Sequence, residues 1–154
     1  MALLMTFSLG CETTPSEPEP SCTAIGCANQ YGVDFAMTSG WSGGDYEITV
    51  DLDGKQVVCK ATLPFAGCDG AATCAGEGDV LLMRSGCALD ASQHKLTGLV
   101  ISNTQPAKVS VQVRRAAELL GAGSWTPTFT TSRPNGPNCE PECIQAPTET
   151  LTLK

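Results

Sequence analysis

Residues 45–63, DYEITVDLDGKQVVCKATL, decide the fold. Tyr46, Ile48, Val50 and Leu52 are apolar while Glu47, Thr49 and Asp51 between them are polar, the period-two alternation of a strand with one buried face. Asp53-Gly54 then supplies a two-residue turn, since a type I′ turn needs positive φ at both central positions, which Asp tolerates and Gly adopts freely. That turn sets the register. It places Leu52 opposite Lys55, Val50 opposite Val57, Ile48 opposite Cys59 and Tyr46 opposite Ala61 on one face, with Glu47 opposite Lys60 on the other as an opposite-charge pair.

The flanking sequence repeats the theme. GVDFAM (32–37) reads as a first strand with Val33 and Phe35 on one face, and TSGWSGG (38–44) as the Gly-rich loop that feeds the hairpin. After the hairpin, PFAGCDGAATCAGEGD (64–79) reads as a disulfide-stapled surface loop. DVLLMRS (79–85) is a short apolar run of the kind buried on both faces, and KLTGLVIS (95–102) is another, in which Gly98 marks a bulge or close backbone approach. KVSVQVR (108–114) alternates, with Val109, Val111 and Val113 inward. RAAELLGAG (115–123) reads as a hairpin connection, because Gly121 and Gly123 cut short any helical turn. SWTPTFTT (124–131) places Trp125, Pro127 and Phe129 on one face of an edge strand, RPNGPNCEPEC (133–143) is turn-rich, and TETLTLK (148–154) closes the chain with Leu151 and Leu153 inward. About eight short strands without a long helix predict an all-β, antiparallel β-sandwich, immunoglobulin-like or fibronectin-like, with a small barrel as the next choice.

Composition sets the bounds. With 16 Gly, 10 Pro and only 5% aromatic residues, the core is modest and bracing is needed. A net charge of −7 without a basic run longer than Arg114-Arg115 lacks the cationic footprint of a nucleic-acid binder, and the same sign disfavours electrostatic docking on an anionic membrane. Nine cysteines imply an oxidising compartment. The odd count is explained if Cys11 is chemically separate and Cys22, Cys27, Cys59, Cys68, Cys74, Cys87, Cys139 and Cys143 form disulfides, among about 105 pairings that spacing cannot rank. Zinc is the weaker alternative, since the close pairs have three different spacings and none is C-x2-C. No metal or other cofactor is expected.

The N-terminus carries its own signal. MALLMTFSLG (1–10) is too short to span a bilayer but suits the apolar part of a secretory signal, here lacking the cationic start. Ser8-Leu9-Gly10-Cys11 resembles a bacterial lipobox, which implies acylation of Cys11, with palmitate among the acyl chains, although Ser8 and Leu9 depart from the usual Leu and small residue. ETTPSEPEPS (12–21) cannot join a core and reads as an extended polar tether reaching about 30 Å. The expected organisation is therefore a signal segment at 1–10, an anchor cysteine and tether at 11–21, and a sandwich domain at 22–154.

Candidate chemistry is sparse. Gly40-Trp41-Ser42-Gly43-Gly44 matches G-x-S-x-G, and Ser42 with His94, the single histidine, would make a small secreted hydrolase; yet a strand rather than a helix follows, so a flexible turn is the preferred reading. His94, in DASQHKL, is expected to be exposed and without a role. Asp51 and Asp53 resemble a calcium-loop start but fit the hairpin better, and a looser calcium cage in the 69–79 loop is a minor alternative. Trp41, Tyr46 and Trp125 could form a sugar platform, although core packing is preferred.

The cysteine with its Pro/Glu spacer, DGKQVVC, KVSVQVR and above all PNGPNCEPEC (134–143) together resemble the uncharacterised cysteine-rich lipoproteins of myxobacteria. The resemblance covers most of the mature chain. It implies export, a lipid anchor and a β-rich exterior domain at the cell envelope, on the outer membrane or cell surface, and it transfers no catalytic residue. The expected role is non-enzymatic: binding or structural, with the membrane reached through the lipid and an envelope protein or glycan as partner.

Overall fold

The computed structural model describes residues 21–69 and 72–154. Strand β1 (Gln30–Met37) buries Tyr31, Val33 and Phe35 and leads through residues 38–43 to β2 (Gly44–Leu52). The Asp53-Gly54 turn, with φ of 54° and 89°, joins β2 to β3 (Lys55–Leu63) in the expected register, from Leu52–Lys55 to Tyr46–Ala61, and Lys60 meets Glu47 at 3.7 Å. Both turn aspartates are used locally. Asp51 accepts the Gly54 amide at 3.0 Å, while the Asp53 carboxylate accepts the Ala107 and Lys108 amides at 2.9 and 2.7 Å, clamping the hairpin to the chain entering its neighbour.

Residues 64–79 are more ordered than a surface loop. They contain β4 (Ala72–Gly76), which pairs with β3 so that Cys74 lies directly across from Cys59. Small side chains hid this strand from a propensity reading. β5 (Asp79–Ser85) corrects a second expectation: Val80 and Leu82 are buried, but Leu81 is 60% and Met83 39% exposed, because β5 ends its sheet and turns one face to solvent. A 3-10 turn (Ala91–Gln93) precedes β6 (Lys95–Ser102), which holds the expected irregularity. Met83 pairs with Gly98 and Arg84 with Leu96, so Thr97 is the extra, bulged residue. A side chain at Gly98 would come within 2.4 Å of the Val33 carbonyl oxygen.

β7 (Val109–Arg115) buries Val109, Val111 and Val113 completely against β2. The connection after it is only Ala116-Ala117; ELLGAG, expected to belong to that connection, instead opens β8 (Glu118–Trp125). The strand expected over 124–131 is broken at 126–129, where the chain leaves one sheet for the other with Trp125, Pro127 and Phe129 half-buried. β9 (Thr130–Ser132), β10 (Cys143–Gln145) and β11 (Glu149–Leu153) complete the chain, giving eleven strands among the described residues where about eight were expected.

The two sheets run β4-β3-β2-β7-β8 and β5-β6-β1-β10-β9, with β11 also beside β1. Together they form an all-β sandwich with one hydrophobic core between the sheets. β11 runs parallel to β1, buries Leu151 and Leu153, and passes the Lys154 amide to the Leu120 carbonyl of β8, so it seams the sheets along one side.

Tyr31 is an exception in this core. It is 1% exposed, packs edge-on to Phe129, and its hydroxyl lacks a hydrogen-bond partner among the described residues. Burial, and secondarily the Glu149 carboxylate, push its pKa up to about 12. The folded state thus favours the neutral phenol, and stability present below pH 10 falls as the pH rises toward 12. Tyr31→Phe is expected to raise stability by about 1 kcal/mol, by removing an unpaired buried hydroxyl, and to flatten that alkaline decline; urea midpoints at pH 8 and at pH 11 check both.

Candidate functional site

Strand direction sorts the loops into two poles. β1, β3, β5 and β7 run away from the pole where residue 22 enters, so residues 38–43, 64–69, 86–94 and 116–117 gather at the far pole, while 53–54, 77–78 and 103–108 return to the near one. The near pole is a cross-linked base. Cys22 is bonded to Cys139 and Cys27 to Cys143, and Asn135, 7% exposed, sits between them. Its Oδ1 accepts from Thr23 Oγ1 and the Ile25 amide at 2.7 and 2.8 Å; its Nδ2 donates to the Ile25 and Glu140 carbonyls at 2.9 and 2.7 Å. Asn29 Oδ1 accepts the Ile144 amide at 2.8 Å, and Arg133 Nε donates to Glu142 at 2.9 Å.

The far pole is a braced rim around a cavity of about 380 Å³ bounded by Trp41, Ser85, Leu89, Ser92, Gln93 and Lys95. Leu89 is 60% exposed. Behind the rim, Trp41 packs on Tyr46 at 5.3 Å and on Phe35 at 6.5 Å, and the Tyr46 hydroxyl donates to the Ser42 carbonyl at 2.7 Å. Cys68–Cys87 ties loop 64–69 to loop 86–94. Arg84 lies 5.5 Å above the Phe65 ring and donates to the Cys68 carbonyl.

His94 corrects the sequence expectation. It is only 7% exposed, not a solvent-facing imidazole. Its ring stacks on Phe65 at 5.1 Å, Nδ1 accepts the Phe65 amide at 2.8 Å, and Nε2 lies 3.1 Å from the Leu89 carbonyl, which assigns the proton to Nε2. Phe65 follows the end of β3, so its N–H has no ladder partner and the imidazole supplies one. Both ring nitrogens are spent on the backbone, leaving neither to take a proton from Ser42, whose side chain is on an exposed loop. His94→Ala is expected to cost about 2–3 kcal/mol, because it orphans the Phe65 amide and opens a void; urea denaturation reads the loss, and limited proteolysis should locate it in 86–94.

All eight described cysteines are in disulfides, the remaining one being Cys59–Cys74, so none is a thiolate for zinc. Among the described residues no group of three or more His, Cys, Asp or Glu is placed to hold a metal ion, and the Asp79 carboxylate accepts Asn103 Nδ2 at 2.7 Å. Trp41, Tyr46 and Trp125 do not share a platform: Tyr46 pairs with Arg115 near one end of β7 and Trp125 with Val109 at the other. Asn135 and Arg84 were not singled out from sequence; Asn135-Gly136 read only as a turn. The signal segment at 1–10, the lipidation site Cys11 and the tether through residue 20 lie outside the described residues. Four disulfides in so small a domain belong to an oxidising, extracytoplasmic compartment. No protein family profile, curated protein or solved structure matches the chain.

Proposed function

We infer that this chain is a lipid-anchored envelope module that holds a binding surface away from the membrane. The observation that carries the reading is the division of labour between poles: Cys22–Cys139 and Cys27–Cys143 fasten the entering chain to one end, and the braced rim of Trp41, Leu89 and Lys95 lies at the other. Acylation of Cys11, with palmitate among the chains, would hold the base at a bilayer, and the Pro/Glu tether would set the stand-off. Asp51, Asp53, Glu77, Asp79, Glu140 and Glu142 outnumber Lys55, Lys108 and Arg133 around that base, which disfavours its lying flat on anionic headgroups. This is the topology expected of the myxobacterial cysteine-rich lipoproteins that the sequence resembles.

The strand order supports an immunoglobulin-like subtype. β5-β6-β1 facing β4-β3-β2-β7-β8 follows the order D-E-B facing C″-C′-C-F-G of a variable-type sandwich, in which loops at one end do the binding. The departure is instructive: the place of strand A beside β1 is filled by the C-terminal β11, running parallel.

Mass spectrometry of the mature protein from its native host tests the anchor. The expected N-terminal residue is Cys11 carrying diacylglycerol and an amide-linked acyl chain; an unmodified Cys11, or a mature chain retaining residues 1–10, overturns it. The hydrolase alternative, Ser42 with His94, would show itself as ester- or peptide-cleaving activity lost in both Ser42→Ala and His94→Ala.

A further inference from the structure

We propose that the outer face of the β5-β6-β1 sheet carries a subsite for a neutral pyranose, separate from the far-pole rim. A groove of about 300 Å³ runs there between Met83 and Thr148, with Gln30, Asp34 and Thr97 along it. Gly32 lies in its floor with the Thr148 side chain laid across it, and the bulge beside Gly98 places an extra residue, Thr97, along the groove, the kind of re-aiming that bulges supply next to functional sites.

The lining then selects the ligand. Among the described residues Asp34, Gln30 and Thr97 find no side-chain hydrogen-bond or ion-pair partner, so a carboxylate, an amide and a hydroxyl are placed to meet the alternating donors and acceptors of vicinal hydroxyls. Met83 and its neighbour Leu81, which pairs with Val100, are exposed on the same face and offer the apolar surface that the C–H side of a pyranose needs. Among the described residues no basic side chain lines the groove, and Asp34 adds negative charge, so phosphates, carboxylates and acidic sugars are rejected. A volume of about 300 Å³ is enough to seat one sugar ring.

The test is a ¹H–¹⁵N NMR titration of the intact oxidised domain with glucose, maltotetraose and glucuronate. Glucose should shift the amides of Gln30, Gly32, Asp34, Thr97 and Val100 with a dissociation constant of about a millimolar, and glucuronate should bind at least about fivefold more weakly. Asp34→Ala, at an exposed position that leaves the thermal midpoint unchanged, should weaken glucose about tenfold, whereas Trp41→Ala should leave it unaltered. Tighter binding of maltotetraose than of glucose would identify a polysaccharide as the source, and equal binding a free sugar or chain end. Absence of shifts at those amides at 100-fold the expected constant, or shifts that survive Asp34→Ala undiminished, would overturn the proposal.

Discussion

Replacing Cys22, Cys27, Cys139 and Cys143 together by alanine is expected to cost about 7–8 kcal/mol, enough to unfold a domain of ordinary stability at 25 °C. Each of the two bonds alone spans a sequence separation of 116 or 117, for which the chain-entropy relation gives about 5 kcal/mol. While one is intact, however, the other closes only the small ring formed by residues 22–27 and 139–143, worth about 2.5 kcal/mol. Either single-bond variant should therefore lose about 2.5 kcal/mol and remain folded, and the double variant should lose more than twice that. Urea denaturation of the three proteins measures the non-additivity. Equal, additive losses would mean that the two bridges do not share one loop.

Asn135→Ala is the second large effect, at about 3 kcal/mol. Four hydrogen bonds converge on a side chain that is 7% exposed, and its removal leaves the Ile25 amide and two carbonyls without their partner. Asn135→Asp is a sharper probe, because it keeps the acceptor toward Thr23 and Ile25 but turns the donor facing Ile25 and Glu140 into a second acceptor. It should cost at least as much as alanine. Chemical denaturation reads both, and hydrogen exchange should show residues 23–29 losing protection ahead of the hairpin.

These effects lie in the part of the molecule that was least legible in the sequence. The β2–β3 hairpin was readable to the residue, because alternation, turn chemistry and a cross-strand charge pair are all local and all point to one register. The same holds for the valines of β7 and the bulge at Gly98. β4 was missed because Ala-Thr-Cys-Ala-Gly has little β-propensity; its place is set by pairing with β3 and by the bond from Cys74 to Cys59. β5 was misread for a complementary reason: composition says that a run is apolar, but only tertiary context says that one of its faces has no second layer over it. His94 was misplaced because nothing local announces that the Phe65 amide, 29 positions away, needs an acceptor. The near-pole base was invisible for the same reason, since Thr23, Ile25 and Asn135 meet across more than a hundred residues.

The central claim is that two disulfides, Cys22–Cys139 and Cys27–Cys143, fasten the entering chain to the base of the sandwich, while Cys68–Cys87 braces the loops of the opposite pole. Disulfide mapping by mass spectrometry of the native, non-reduced protein tests it most directly. Proteolysis between the cysteines should release peptides joining Cys22 to Cys139, Cys27 to Cys143, Cys59 to Cys74 and Cys68 to Cys87. Local pairs such as Cys22 with Cys27 and Cys139 with Cys143 would leave the N-terminal segment unfastened and contradict the account.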